Sequence, residues 1–536
     1  MIYDVAIIGA GLAGLTLARQ LSLEIPSASV CLIHDKTFPN PLAAHKVGES
    51  TVELGAFYLR DTLGLNDYMH ETHLSKMGLR FLQTCSDGEN YKELGIYHFP
   101  YHDAFQIDRG LLENDLYNFV KPTTDIFEQH RFMDFDRIDE VYHIRTLHTD
   151  GTERVIKARW LVDASGRKRC LAKKLGFKTA FPLTHSAVWF RVDGVVDLND
   201  IYVSDDPDNV FKGAQRSNST VHLMGKGRWV WLIPLAGNKT SIGIVFDETV
   251  IDAGELLSQE KAFAWLKEHE NKLYNELVSK KYPVLDFKYF RKYSYISDEF
   301  LSLDKWAVVG EAKAFVDPLY SNGTDFIAME NTMVCNTIAA EMGGYNIYDS
   351  YVNGYNELMG YVLKGFFVTH EDSYKYFDDW YYIYVKTNID AIFYFSTVCV
   401  IFMNKKMESY DFLMETRSII LKMLEDHDRV MNYIKSEAFQ RHGKVAKRFI
   451  SIEGSIEAYV NRDIVCKERD DEAVLELLRD NAYIYKKLVD YIINEGDFEF
   501  IFYPPVEEAL DLESAPLEAV DWRYGDFFPP RVEAVG

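Results

Sequence analysis

The chain has 536 residues, enough for two or three domains, and 47% hydrophobic with 14% aromatic residues is ample for a sizeable core. A formal net charge of −24 argues against nucleic acid and anionic membrane surfaces as partners. Six cysteines (31, 85, 170, 335, 399 and 466) are scattered without a CxxC pair, which argues against disulfides and zinc and makes a reducing cytoplasm the expected location.

Residue 4 is already Asp and the first apolar run ends in glycines, so no secretory signal is expected. Val5–Ile8 reads as a buried strand, Gly9-Ala10-Gly11-Leu12-Ala13-Gly14 follows at once, Leu15–Leu21 continues as a helix, and Val30–Ile33 is a second strand. A GxGxxG between two strands is a dinucleotide-binding signature, because Gly9, Gly11 and Gly14 let the backbone approach a pyrophosphate at a helix start. The acid expected to meet the adenosine ribose falls on His34 or, one residue late, on Asp35.

Ser50 and Glu53 have capping-box spacing and Gly64 is placed as a C-cap, so a helix is expected from about Thr51 to Leu63. Arg109 precedes Leu111, Leu112 and Leu116 at a helix start, where it reaches a phosphate or is simply solvated. Trp160–Val162 is a strand ending at Asp163-Ala164-Ser165-Gly166, and strand ends of parallel sheets are where ligands bind. Val221–Met224, Arg228–Pro234 and Thr240–Phe246 read as an antiparallel meander. Trp229 and Trp231, two apart, share one face of it, as its core or as the wall of a cavity.

Trp306–Gly310 is a further strand, and Asp317–Thr324 is a Pro- and Gly-containing turn opening a helix toward Ile338. Such a helix start gathers negative charge. Ala391–Met403 is apolar but falls short of the ~18–20 residues of a membrane span, so it reads as a buried helix. Leu421–Tyr433 and Asp471–Ile493 have helical spacing. The tail after Glu507, with Pro504-Pro505 before it, looks irregular. No second GxGxxG appears, so a separate NAD(P)H domain is not evident.

Taken together these residues resemble the flavin-dependent halogenases, relatives of the aromatic flavin monooxygenases. The likeness covers roughly residues 1–345. Gly9–Gly14 matches the family's dinucleotide loop. Trp229-Val230-Trp231-Leu232-Ile233-Pro234 matches its WxWxIP motif at every fixed position, which is the most specific signal. Lys76-Met77-Gly78, following Val47-Gly48-Glu49-Ser50, resembles the segment of the catalytic lysine. Gly310-Glu311-Ala312 through Asp317-Pro318 and Ser321-Asn322-Gly323 resembles the second flavin-contact stretch.

The resemblance implies FAD, supplied reduced by a separate reductase, and a chloride or bromide ion. It implies that the backbone N–H groups of Asn322 and Gly323 hold the halide. Reduced FAD and O2 then give a C4a-hydroperoxide, and halide attack on it releases hypohalous acid. Lys76 is the residue expected to direct that acid to an aromatic carbon, as an ammonium or as a haloamine; an isolated lysine is otherwise a solvated surface group. Trp229, Trp231, Pro234 and Tyr320 are the candidates for the substrate cavity. Two departures stand out. Tyr320 replaces the Glu of the tryptophan-halogenating branch, which points toward phenols or pyrroles, free or tethered to a carrier protein. Glu311 replaces the usual Asp beside the flavin. Arg167-Lys168-Arg169 with Lys173 and Lys174 is a basic cluster that either docks such a carrier or is solvated.

The expected architecture is α/β. A Rossmann-like FAD-binding core spans 1–360, with an interleaved antiparallel sheet at about 180–300, and a helical region over 361–536 completes the substrate site. A non-halogenating flavin monooxygenase and a flavoprotein that merely binds a partner are the alternatives.

Overall fold

A computed structural model describes residues 1–41, 46–85, 88, 90–95, 103–203, 214–347, 349–439, 449–451 and 468–495. Cys466 and the Pro504-Pro505 tail lie outside the described residues.

Tyr3–Ile8 and Val30–Ile33 are apolar on both faces because helices and loops cover both sides of the sheet they enter. Both are parallel to Glu153–Asp163, Thr124–Phe127 and Trp306–Val308, in the spatial order 306–308, 153–163, 3–8, 30–33, 124–127. The register pairs Ile8 with Ile33 and with Asp163, and Asp163 with Val308. Four strands therefore end in line, and the chain leaves them at Gly9, His34, Ala164 and Val309, along the carboxyl edge where α/β sheets bind ligands. A hairpin, His130–Ile138 and Val141–His148, extends this sheet from the outer half of Glu153–Asp163; its signal in the sequence is too alternating and polar to stand out.

The second sheet is ordered Val284–Phe290, His185–Asp193, Lys239–Asp247, Arg228–Leu235, Thr220–Gly225, Leu79–Thr84, Tyr91–Gly95 and Phe449–Ser451. The expected meander is present, and the sheet reaches well outside the 180–300 stretch because Leu79–Thr84 joins it in parallel to Thr220–Gly225. Side chains alternate between two cores along Arg228–Leu235. Trp229, Trp231 and Ile233 face the large central core, while Val230 and Leu232 face a smaller one under helices Gln259–His269 and Asn271–Lys280.

Helix Gly323–Met342 runs through the centre, with most of its side chains buried. Beyond it come helices Asp349–His370, Trp380–Tyr394, Tyr410–Lys435 and Asp471–Glu495. Two expectations need correction. Ser50 caps no helix: its hydroxyl bonds Thr220 Oγ1 at 2.9 Å, and the helix starts at Glu53 behind Val52, runs to Phe57 and finishes in a π-helical turn, Tyr58–Thr62. The apolar run is also longer than Ala391–Met403. Trp380–Met403 is 24 residues long and apolar enough to span a bilayer by length and composition, but 78% of its most apolar window is buried inside the protein. Its second half contains a π-helical turn, Phe395–Cys399, of the kind that often re-aims side chains at functional sites.

Candidate functional site

The carboxyl edge of the first sheet opens into a cavity of about 420 Å³. Gly9 turns the chain with φ +105°, and a Cβ on Gly14 would overlap the Gly9 carbonyl oxygen, so the loop closes onto the helix only with glycine there. Gly11 faces open space and the helix it introduces, Leu12–Glu24, has no capping side chain and no acid in its first turn. Its N–H groups are left for an anion, and this cradle fits the pyrophosphate of a dinucleotide.

Of the sequence candidates, Gly9, Gly11, Asp35, Val47, Gly48, Glu49, Ser50, Arg109, Gly310, Glu311, Asp317, Pro318, Asn322 and Gly323 line this cavity. Gly14 and Asp163 lie behind it. The Asp163 carboxylate is fully buried and accepts from the N–H groups of Ser165 (2.9 Å) and Leu171 (2.7 Å), so it shapes the turn and does not face a ligand. His34 and Asp35 both line the cavity, but Asp35 is paired with Lys168, whereas His34 Nε2 is buried with no hydrogen-bond partner. Burial pushes the His34 imidazolium down to about 4, so the ring is neutral and one nitrogen is open to a hydroxyl.

Arg109 donates to the Val47 carbonyl (2.8 Å) and to Glu113 (2.8 Å), and its Nε has no partner. Lys46 pairs with the same buried Glu113. Glu311 faces the cavity near Arg167, Arg109 and Lys46; burial raises its carboxyl and those cations oppose the rise. In the basic cluster Lys168, Lys173 and Lys174 are exposed, while Arg167 and Arg169 are partly buried. Arg167 lines the cavity with its guanidinium 4.5 Å from the centre of the Phe290 ring, Lys168 pairs with Asp35, and Arg169 bonds Ser297 Oγ at 3.0 Å.

Trp229 and Trp231 stand with ring centres 5.9 Å apart on the wall of this same cavity, while Pro234 lines no cavity described here. Both rings line this first cavity and neither lines the second, around Lys76. Gly243 on the neighbouring strand makes room, since any Cβ there would meet the Trp231 ring. Trp229 Nε1 donates to Tyr374 OH at 2.6 Å, and Tyr374 and Tyr293 both donate to Asp317 at 2.9 Å. His185 Nδ1 (2.7 Å) and the Leu319 N–H (3.0 Å) also meet Asp317, whose buried carboxylate thereby fixes the turn that follows.

That turn places Ser321 at φ +63° and starts helix Gly323–Met342 with Asn322 as an N-cap whose side chain makes no cap bond. Asn322 Nδ2 is buried without a partner, and Asn322 lines both the first cavity and a second, of about 160 Å³. The second cavity is apolar almost throughout. It contains Lys76 and Tyr320, together with Glu53, Asp325 and Asp390, which sequence reasoning missed.

Lys76 sits between two short strands, is 1% exposed, and donates from Nζ to the Thr51 carbonyl at 2.6 Å. Burial pushes its ammonium down to about 8, against the pull of Glu53 and Asp325. Asp325 accepts from the Gly55 N–H (2.8 Å) and Tyr394 OH (3.0 Å), and burial raises it to about 8. The one available signal for Asp390 was its i,i+4 spacing from Lys386 inside an otherwise apolar helix: the two form a buried ion pair. Among the described residues no group of three or more His, Cys, Asp or Glu is arranged to hold a metal.

Residues 2–272 match a family model described as an FAD binding domain. The flavin-dependent halogenase chlA of Dictyostelium discoideum is 28% identical over 394 residues, 68% of this chain and 64% of that protein. The chain thus spans just under two thirds of that relative's length. A 1H-pyrrole-2-carbonyl-(peptidyl-carrier protein) chlorinase of Pseudomonas fluorescens is 25% identical over 347 residues, 60% of this chain and 72% of that one. Among solved structures, halogenase PltM in complex with phloroglucinol and FAD superposes with a TM-score of 0.64 at 14% identity, over 84% of this chain and 99% of that chain, a likeness of fold.

Proposed function

The chain belongs to the FAD binding domain family and groups there with the flavin-dependent halogenases, and on that premise we propose that it halogenates an electron-rich aromatic ring, of phenol or pyrrole type, with hypohalous acid made beside the flavin. The observation that carries this reading is the shared wall: Asn322 borders the cofactor cavity on one side and the Lys76 cavity on the other. On this reading an oxidant formed in the first passes Asn322 to reach a ring held in the second.

Reduced FAD with O2 supplies the oxidising equivalent that converts halide to hypohalous acid. The protein's own groups do the rest. The Gly9–Gly14 loop receives the pyrophosphate, Arg109 and Arg167 face the anionic part of the cofactor, and His34 Nε2 takes the place of the missing acid at the ribose. The uncapped N–H groups at Asn322 and Gly323 hold the halide, since they bind an anion and are not themselves oxidised. Lys76, as an ammonium anchored on the Thr51 carbonyl, hydrogen-bonds the hypohalous oxygen and withdraws charge from it as the ring attacks. A separate reductase provides the reduced flavin, and chloride or bromide serves as halide. Residues 1–360 form the flavin core, and 361–536 close the substrate side.

Lys76→Ala tests this. The variant is expected to retain FAD and to release hypohalous acid to a chemical trap while halogenated aromatic product falls at least about a hundredfold. A variant that still halogenates its substrate removes Lys76 from the mechanism. Hydroxylated product in place of halogenated product from the wild type returns the chain to the monooxygenase reading.

A further inference from the structure

Asp390 lies on helix Trp380–Tyr394, is 7% exposed, and borders the second cavity. One of its oxygens is fully used: Oδ2 accepts from Tyr320 OH at 2.6 Å and from the Lys386 ammonium. The other, Oδ1, is buried with no hydrogen-bond partner. His427 Nε2 stands 3.8 Å from it but is engaged with Thr369 Oγ1 at 3.0 Å, and His427 Nδ1 with Tyr485 OH at 2.7 Å. A carboxylate oxygen buried without a partner is costly to leave unmatched, and since Asp390 borders the cavity its partner is to be sought in what the cavity takes.

We propose that Asp390 Oδ1 is the acceptor that seats the substrate by its ring hydroxyl, so that the substrate is an untethered phenol with an apolar body. Lys386 cancels the carboxylate's charge, and the site therefore takes a neutral donor and not an anion. Tyr320, two residues before Asn322 and itself part of this cavity's lining, holds the carboxylate through Oδ2. The rest of the lining is mainly apolar, with Leu358, Val362, Phe366, Ile401, Leu413 and Leu424 among it, which suits a hydrocarbon better than the amides of a carrier tether. This assignment rests on the halogenase reading above.

It also completes the reaction. As the ring carbon bonds to the halogen, the O–X pair leaves with the oxygen, which takes a proton from the Lys76 ammonium and departs as water. The phenolic proton passes to Asp390 Oδ1 and the O–H electron pair becomes the C=O of a halogenated dienone. Loss of the proton from the substituted carbon to the Lys76 amine restores the ring's electrons, and Asp390 returns its proton to the oxygen. The sum is arene plus HOX to haloarene plus water.

The test compares 4-butylphenol with its methyl ether, 4-butylanisole, by calorimetric titration into the full-length FAD-loaded protein. The wild type is expected to bind the phenol at least about tenfold more tightly, the scale of a hydrogen bond to a buried charge. Asp390→Asn is expected to reduce that ratio to within about threefold. Should that variant fail to fold with Lys386 unpaired, the double variant Lys386→Met with Asp390→Asn removes the pair together and carries the same expectation. Equal binding of phenol and ether by the wild type, or an unchanged ratio in either folded variant, overturns the assignment. Hypohalous acid production by the wild type is measured alongside: its absence overturns the halogenase reading, whatever the binding ratio.

Discussion

At the scale of single residues, Lys76 bears a charge where the surroundings penalise it. Its ammonium is held near a pKa of about 8, against an ordinary 10.5, chiefly by burial. The unfolded chain binds this proton more tightly than the folded one, so the charged side chain costs stability at all pH values below about 8, and the cost disappears as pH rises from there toward 10.5. At pH 7 the penalty is on the order of 3 kcal/mol. Lys76→Met is therefore expected to raise the unfolding free energy by roughly 1–3 kcal/mol, after the lost bond to the Thr51 carbonyl, while abolishing halogenation. Denaturant titration checks the first effect and product analysis the second. Halogenation by the wild type is expected to decline as pH rises through about 8, because the ammonium is the active form. A rate that climbs through that pH would instead point to the amine.

At the scale of elements, the loop Gly9–Gly14 and strand Arg228–Leu235 each build their part of the first cavity from local geometry. Gly14→Ala would set a methyl against the Gly9 carbonyl, forcing helix Leu12–Glu24 away from the strand end. Loss of bound FAD and a destabilisation of about 1–3 kcal/mol are expected, measured by flavin absorbance and by denaturant unfolding. These elements were legible in the sequence because strand, glycine pattern and helix follow one another within a few residues. The Trp229 and Trp231 pair was legible as a shared face, but which cavity it borders depends on the other sheet and could not be read. Ser50 was misread for the same reason: Thr220, 170 positions away, takes its hydroxyl. Asp390 was hidden in a helix whose apolar neighbours dominate the pattern, and its partner Tyr320 lies 70 positions earlier.

At the scale of the whole molecule, a protein of net charge −24 lines its cofactor cavity with Lys36, Lys46, Arg109, Arg131, Arg167 and Lys168. Asp35, Glu49, Glu113, Glu311 and Asp317 line the same cavity, with Lys168 paired to Asp35 and Lys46 and Arg109 to Glu113, so the cations act through local pairs and not as an unopposed positive field. Helices Asp349–His370, Trp380–Tyr394 and Tyr410–Lys435 line the second cavity. Gly365 on helix Asp349–His370 leaves space there, since a Cβ would stand 3.5 Å from both Leu424 and Phe393. Gly365→Phe is expected to fill the cavity, so that hypohalous acid is still trapped but ring halogenation falls.

The two cavities with Asn322 between them make halide-dependent oxidation the central claim. Its most direct measurement is the reaction of the protein loaded with reduced FAD with O2, with and without chloride or bromide, in the presence of an electron-rich phenol whose product is identified by mass spectrometry. Halogenated phenol that appears only when halide is present is the predicted result. Peroxide or hydroxylated phenol, formed equally with and without halide, would contradict the account.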